Sequence, residues 1–542
     1  MLGLIGRLVP ESWQRIVGND YGQVLDVLHI VFACPGEEVI LDAPADAETG
    51  LRPPQSRFDV STDNLKGRVL RGGLTRVAAQ GGLVALRVGS IMVLARLLEP
   101  ADFGLVNMVT VVTGVLGLFR DAGLSTVTVQ RPTISDAQVS ALFWLNLLLG
   151  ALLMALSIAM APALTVFYHE PRLFWVAFAI GAGFLFNGAS VQHIALLQRE
   201  MRFTALAIVD VVSFVISVAV SVSMAMLGYG YWALVAMAVS LSITSCAAAW
   251  AIAGWMPGPP RRGVGMVSMM RFGGIVSVNG FLMYIAYNTD KLLLGRFAGA
   301  EALGLYGRAY QCVSVPTDVL HQAVSGVAVS ALSRLQTDAG RFKSYFLKGY
   351  SVFVAVTIPI TVACALFAKD IVYVLLGPKW TAAAALFRIL APTVGAFALI
   401  NPVGWLLFAT GQVGRALRMA LVIAPLLIAA CSAGLAYGSV GVAIGFSATM
   451  TALIVPLVVW GLHDSVVPPG EVAQTVKAPA LAALVATVIA LPAALRFGGL
   501  IPPVPRLACE GALFSVSYIL LLFYPMGQKA FYADLIQDVR QR

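Results

Sequence analysis

From about residue 77 onward the chain alternates long apolar runs with short polar breaks, and the runs are close to the ~20 residues a helix needs to cross a ~30 Å hydrocarbon layer. This pattern predicts about fourteen transmembrane helices, at roughly 77–97, 103–119, 139–161, 173–196, 205–227, 231–255, 272–289, 309–332, 349–368, 383–409, 416–436, 439–461, 478–495 and 507–526. The runs are continuous instead of alternating with period two, and an open sheet edge in lipid would leave backbone groups unpaired, so strands are not expected. Residues 1–65 differ from the rest. They hold a weakly amphipathic start and an acidic, proline-containing stretch around Asp42-Ala-Pro-Ala-Asp46, with no charged segment followed by an apolar one as in a signal peptide. They read as a cytoplasmic extension or as residues upstream of the true start.

Composition sharpens this picture. Of 542 residues, 59% are apolar and only 12% charged, where soluble domains carry about 45–50% and about 25%. The chain is an all-α polytopic membrane protein, and a soluble enzyme, a disordered chain or a disulfide scaffold is excluded. The six cysteines lie far apart with no CxxC pair, so no zinc or redox site is written here, and no cofactor is expected. The net charge of +9 comes from basic residues spread singly or in pairs beside apolar runs, which is a topology signal and not a nucleic-acid patch. With the N-terminus inside, the inward loops carry Arg120/Arg131, Arg199/Arg202, Arg261/Arg262/Arg271, Arg334/Arg341/Lys343/Lys348 and Arg415/Arg418. The outward loops are poor in Lys and Arg, except 290–308. Both termini are therefore expected on the cytoplasmic side.

An internal repeat is visible two hundred residues apart. Arg96-Leu-Leu-Glu-Pro-Ala-Asp-Phe-Gly-Leu105 aligns without a gap to Arg296-Phe-Ala-Gly-Ala-Glu-Ala-Leu-Gly-Leu305, matching Arg, Gly and Leu. The two segments fall between spans 1 and 2 and between spans 7 and 8. Two six-helix lobes in a parallel repeat follow, because six crossings return the chain to its starting side. The expected division is an N-terminal extension (1–65), an N-lobe (66–260), a C-lobe (261–465) and two further helices with a cytoplasmic tail (466–542).

Several segments resemble the Wzx-type lipopolysaccharide and exopolysaccharide flippases of the multidrug/oligosaccharidyl-lipid/polysaccharide exporter superfamily. They are Ala95–Leu105, Leu118-Phe-Arg-Asp-Ala-Gly-Leu-Ser-Thr126 with Gln130-Arg131, Phe143-Trp-Leu-Asn146, Leu197-Gln-Arg-Glu-Met-Arg-Phe203, and Asp290-Lys-Leu-Leu-Leu-Gly-Arg296 followed by Gly304-Leu-Tyr306. The resemblance covers roughly residues 66–460. It implies a bacterial inner-membrane protein that moves an undecaprenyl-pyrophosphate-linked oligosaccharide between leaflets. The implied partners are that lipid-linked oligosaccharide, membrane lipid and the polysaccharide polymerase or export machinery. It supplies no catalytic motif.

An anionic headgroup crossing hydrocarbon needs a wet, preferably cationic cavity, so intramembrane charges are the first candidates. Arg87 lies near the centre of span 1. At 100° per residue Arg76, Gln80 and Arg87 fall within about 40° of one another, a polar stripe roughly 16 Å long. The competing reading is an ion pair inside the N-lobe. On span 8, Gln311, Ser314, Asp318, Gln322 and Ser325 share a face, with His321 beside it as a proton relay or a packing residue. Span 7 adds Asn279 and Asp290 on one face, with Lys291 adjacent; the last two are either a gate or a mutually neutralising pair. Arg388 in span 10 is the C-lobe counterpart of Arg87, and two arginines would suit a diphosphate, unless Arg388 snorkels to the interface. The expected substrate cavity is therefore Arg76, Gln80, Arg87, Asn279, Gln311, Asp318, Gln322 and Arg388, with Asp290, Lys291, Asp318 and His321 as coupling or gating groups.

No GxxxxGK[ST] occurs, so no P-loop binds ATP. Two other cargoes fit the same layout, a lipid-linked peptidoglycan precursor or a small cationic drug, and carboxylates in place of arginines would mark the drug exporter. A membrane polymerase or ligase is disfavoured because the outer loops are short and hold no paired acids or nucleophile–base arrangement.

Overall fold

The computed structural model describes residues 65–121, 123–131, 133–259, 266–497 and 502–529. The 1–65 extension lies almost wholly outside them. The described chain is all α, with no strand. In order the helices are α1 (Leu65–Leu97), α2 (Pro100–Gly117), α3 (Leu124–Gln130), α4 (Asp136–Tyr168), α5 (Leu173–Arg199), α6 (Phe203–Met226), α7 (Tyr231–Ala253), α8 (Met266–Phe297), α9 (Gly299–Arg334), α10 (Ala339–Leu366), α11 (Ala368–Leu376), α12 (Ala383–Ala409), α13 (Val413–Gly434), α14 (Gly438–Ala452), α15 (Ile454–Leu462), α16 (Pro469–Phe497) and α17 (Pro503–Phe523).

Local chemistry sets several boundaries. Pro100 takes the first position of α2, where its missing N–H is no loss, and the Asp102 carboxylate accepts the Glu99 N–H at 3.1 Å. At the start of α4, Ser135 and Gln138 form a reciprocal capping box of 3.0 and 3.3 Å. Each apolar run of the sequence coincides with a helix, the run at 439–461 being divided between α14 and α15. By length and hydropathy, eleven stretches among the described residues qualify as spans. Two causes separate that number from the expected fourteen. Gly414–Leu462 forms one continuous apolar stretch of 49 residues through α13, α14 and α15. In addition, α9 is too polar around Asp318, His321 and Gln322 to qualify, and the side chains of α8 are described only from residue 280 on, in its charged C-terminal half.

The helices pair in two matching sets. In the first bundle α1 packs on α6, α4 on α5, α5 and α6 on α7, and α2 on α5. In the second α8 packs on α13, α10 on α12, α12 and α13 on α14, and α9 on α12. The pairings correspond in chain order, as a parallel repeat requires. Helices α16 and α17 pack on each other, and α16 lies against α10. Large apolar side chains stay exposed around the outside, among them Leu148 on α4 at 67%, Val166 on α4 at 75% and Val488 on α16 at 70%. An aqueous protein would not leave so many uncovered, whereas hydrocarbon solvates them.

Candidate functional site

The two bundles meet where α2 crosses α9, and the crossing is built by the repeat itself. A Cβ added at Gly104 would overlap the Ala300 carbonyl and lie 2.9 Å from Ala300 Cα. One added at Gly304 would overlap the Pro100 carbonyl oxygen and lie 2.7 Å from its carbon. Gly104 and Gly304 are repeat mates, and so are Pro100 and Ala300, so each glycine admits the backbone opposite its own counterpart. Only residues without a Cβ allow two helix backbones this close.

Around the crossing, both bundles contribute to one closed end, formed by the α1–α2 and α8–α9 connections. Trp380, in the turn after α11, is fully buried; its Nε1 donates to the Ala95 carbonyl at 2.8 Å, and its ring meets Phe103 edge-on at 5.4 Å. The Arg308 guanidinium lies 3.9 Å over the other aromatic contact of the end, the Phe103 ring. Arg96 donates to the Val374 carbonyl at 2.8 Å, and Lys379 pairs with Glu99 at 2.5 Å. Further along, the Tyr284 hydroxyl of α8 donates to the Val111 carbonyl of α2 at 3.0 Å.

Inside the second bundle are two adjoining cavities of about 190 and 580 Å³, sharing Tyr287, His321 and Asn401 in their walls. The smaller is lined by Tyr310, Ser314, Thr317, Asp318 and Thr393 as well; the larger continues past Ser325, Ser330 and Trp405. His321 stacks on Trp405 with centroids 5.6 Å apart and planes at 27°. Asp318 and His321, three residues apart, therefore stand side by side on the cavity face of α9.

The expected residues divide accordingly. Asp318 and His321 line this cavity. Gln322 is exposed on α9 outside it, and Gln311 accepts a hydrogen bond from Arg308, so the cavity face of α9 is turned toward His321 and away from Gln322. Gln80 and Arg87 are exposed on α1 and do not line it, so its wall comes from the second bundle alone and not from both lobes as expected. Arg87 has no ion-pair partner among the described residues. Arg388 is elsewhere, in a groove between α10, α12, α16 and α17. The side chains of Arg76 and Asn279 lie outside the described residues.

Asp290 and Lys291 are not a pair. Asp290 is fully buried and accepts from the Tyr306 hydroxyl at 2.7 Å and the Lys291 backbone N–H at 2.8 Å. Lys291 Nζ instead donates to Asn288 at 2.8 Å and lies 4.5 Å over the Tyr310 ring. Tyr306 ends the Gly304-Leu-Tyr306 string but carried no site role in the sequence reading, and Tyr287, Thr393 and Trp405 left no signal above the apolar background. Other motif strings build scaffold: buried Arg199 donates to the Thr128 and Arg131 carbonyls at 2.8 and 2.7 Å, fixing α3 to α5.

Residues 93–385 match the family described as polysaccharide biosynthesis protein. The teichuronic acid biosynthesis protein TuaB of Bacillus subtilis is 27% identical over 54% of this chain and 61% of its own length, so this chain spans about three fifths of that relative. The lipopolysaccharide biosynthesis protein WzxC of Escherichia coli is 23% identical over 71% of this chain and 78% of its own. Among solved structures, the lipid II flippase MurJ in an inward closed conformation aligns with a TM-score of 0.65 at 11% identity, covering 86% of this chain and all of that one. An inward-facing multidrug resistance MATE family transporter of the MOP superfamily aligns at 0.57 and 15% identity, covering 74% of this chain and 99% of that one.

Proposed function

The chain belongs to the polysaccharide biosynthesis protein family and has the fold of MOP-superfamily transporters, and from that premise we propose that it flips a polyprenyl-diphosphate-linked oligosaccharide across the bacterial inner membrane. The observation that carries the reading is the reciprocal glycine crossing: two repeat-related bundles touch backbone to backbone at one end, which makes a fulcrum for alternating exposure of the space between them. With the orientation expected from the Lys/Arg bias of the loops, that end faces the periplasm and the arrangement is the one shut to the outside.

Arg87 lies ten residues before the end of α1, roughly 15 Å from the closed face. An unpaired guanidinium at that depth costs at least ~2.5–3.5 kcal/mol if it faces lipid. It is therefore assigned to the space between the bundles, where a diphosphate accepts it bidentately. The cavities of the second bundle are of small-molecule size and do not hold a lipid-linked oligosaccharide whole. They suit a coupling proton held between Asp318 and His321, with Asp290 tied to Tyr306 beside them. No covalent step is required, and the cargo passes on to the polymerase or export machinery unchanged.

The test is replacement of Arg87 and Asp318 singly, Arg87→Gln and Asp318→Asn, in cells that depend on this chain for surface polysaccharide. With insertion confirmed, loss of polysaccharide in both variants supports the reading. Normal export in both overturns the assigned cavity.

A further inference from the structure

A lateral groove of about 610 Å³ opens between α10–α12 of the second bundle and the appended pair α16–α17. Its floor is apolar, with Val362, Leu366 and Leu491, and five ionisable side chains stand around it: Lys369, Asp370, Arg388, Arg506 and Glu510. Two of these satisfy each other. Arg506 Nε donates to Asp370 Oδ2 at 2.9 Å and a second guanidinium nitrogen donates to Oδ1, with the pair only 16% and 12% exposed.

The other three are less well satisfied, Glu510 sharing the Arg506 charge with Asp370. Lys369 and Arg388 are exposed and have no carboxylate partner among the described residues; Arg388 Nε donates only to the Ala365 carbonyl, at 3.1 Å. Glu510 is 4% exposed, and its Oε1 accepts no hydrogen bond. A buried acceptor without a donor is costly, and so are cations at the edge of hydrocarbon without an anion. The groove therefore offers a place for one negative group beside Lys369 and Arg388, and for one N–H donor at Glu510.

Depth selects the ligand further. Glu510 lies seven residues into α17, about 10 Å below its start, close to where headgroups give way to acyl chains. An inorganic phosphate would leave both the apolar floor and the Glu510 oxygen unused. We propose that this groove binds a glycerophospholipid with a primary-amine headgroup, of the phosphatidylethanolamine type. The phosphate sits on Lys369 and Arg388, the ammonium donates to Glu510, and the acyl chains follow the floor. Such a lipid bridges α16–α17 to the second bundle through the same end that holds the Arg506–Asp370 pair.

Native mass spectrometry of the full purified chain, delipidated and titrated with chain-matched lipids, tests this. Phosphatidylethanolamine is expected to bind about tenfold or more tighter than phosphatidylcholine, which has the same phosphate and net charge but no N–H, as the loss of one charge-assisted hydrogen bond implies. Glu510→Gln should erase that preference, and the double change Lys369→Gln with Arg388→Gln should weaken both lipids by about tenfold or more. Equal binding of the two lipids to the unaltered chain overturns the proposal, with no variant needed. So does unchanged binding in a double variant that elutes and melts as the parent does, and so does tightest binding of phosphatidylglycerol, which would make the groove a simple anion site.

Discussion

Replacing Gly304 by alanine tests the crossing directly. The added methyl would lie 2.7 Å from the Pro100 carbonyl carbon and overlap its oxygen, where ordinary contact begins at 3.4 Å. The opposing atoms are backbone and cannot swing aside, so the helices must part by at least roughly 0.7 Å. Overpacking of this kind costs about 1–3 kcal/mol. If the strain falls on the closed arrangement alone, the balance between closed and open shifts by roughly 5–150-fold. The readout is Phe103→Cys in a background without the native cysteines. Phe103 is 4% exposed, shielded by Trp380 and Arg308 of the other bundle. Its labelling by a soluble maleimide should rise by that order in Gly304→Ala and stay unchanged in Gly280→Ala, where a Cβ meets nothing within 4 Å. Equal rates in Gly304→Ala and its parent, or an equal rise in the control, would refute the crossing as the closure.

Three further outcomes follow from the contacts. Arg506→Ala leaves the nearly buried Asp370 carboxylate uncompensated and should destabilise the protein by about 3–5 kcal/mol, read as a lowered thermal midpoint in detergent. Lys379→Gln breaks an ion pair exposed at 45% and 62%, so its stability effect should stay under about 1 kcal/mol even though it bridges the bundles. Tyr306→Phe removes a donor to fully buried Asp290 and should cost about 1.5–3 kcal/mol, with Asp290→Asn in the same background recovering part of the loss; no recovery would mean that Tyr306 acts by packing alone.

The helices were legible because hydrocarbon imposes one strong rule, a continuous apolar run for each crossing. The repeat was legible at Arg96/Arg296 and Gly104/Gly304, yet sequence could not say that those two glycines face each other; that depends on how two bundles dock, information carried by no local pattern. Span 8 shows the limit of grouping residues by polarity. The stripe Ser314, Asp318, Ser325 faces the cavity as its periodicity indicated, but Gln322 does not, and His321 does. The helical wheel itself accounts for this, because at 100° per residue His321 lies only about 20° from Ser314 and Gln322 about 80°; the stripe groups residues by polarity and not by angle. Arg388 was legible as an unusual charge but not as a neighbour of Arg506 and Glu510, because α17, which brings those residues to it, lies over a hundred residues further on.

The most direct measurement is of leaflet exchange. The purified chain is reconstituted into vesicles containing a labelled polyprenyl-diphosphate oligosaccharide, and the fraction open to an external glycan-cleaving enzyme is followed over time. The account expects that fraction to rise past the outer-leaflet share seen in protein-free vesicles, and the rise to be lost in Arg87→Gln. A fraction that stays at the outer-leaflet share with the unaltered, correctly inserted chain would contradict it.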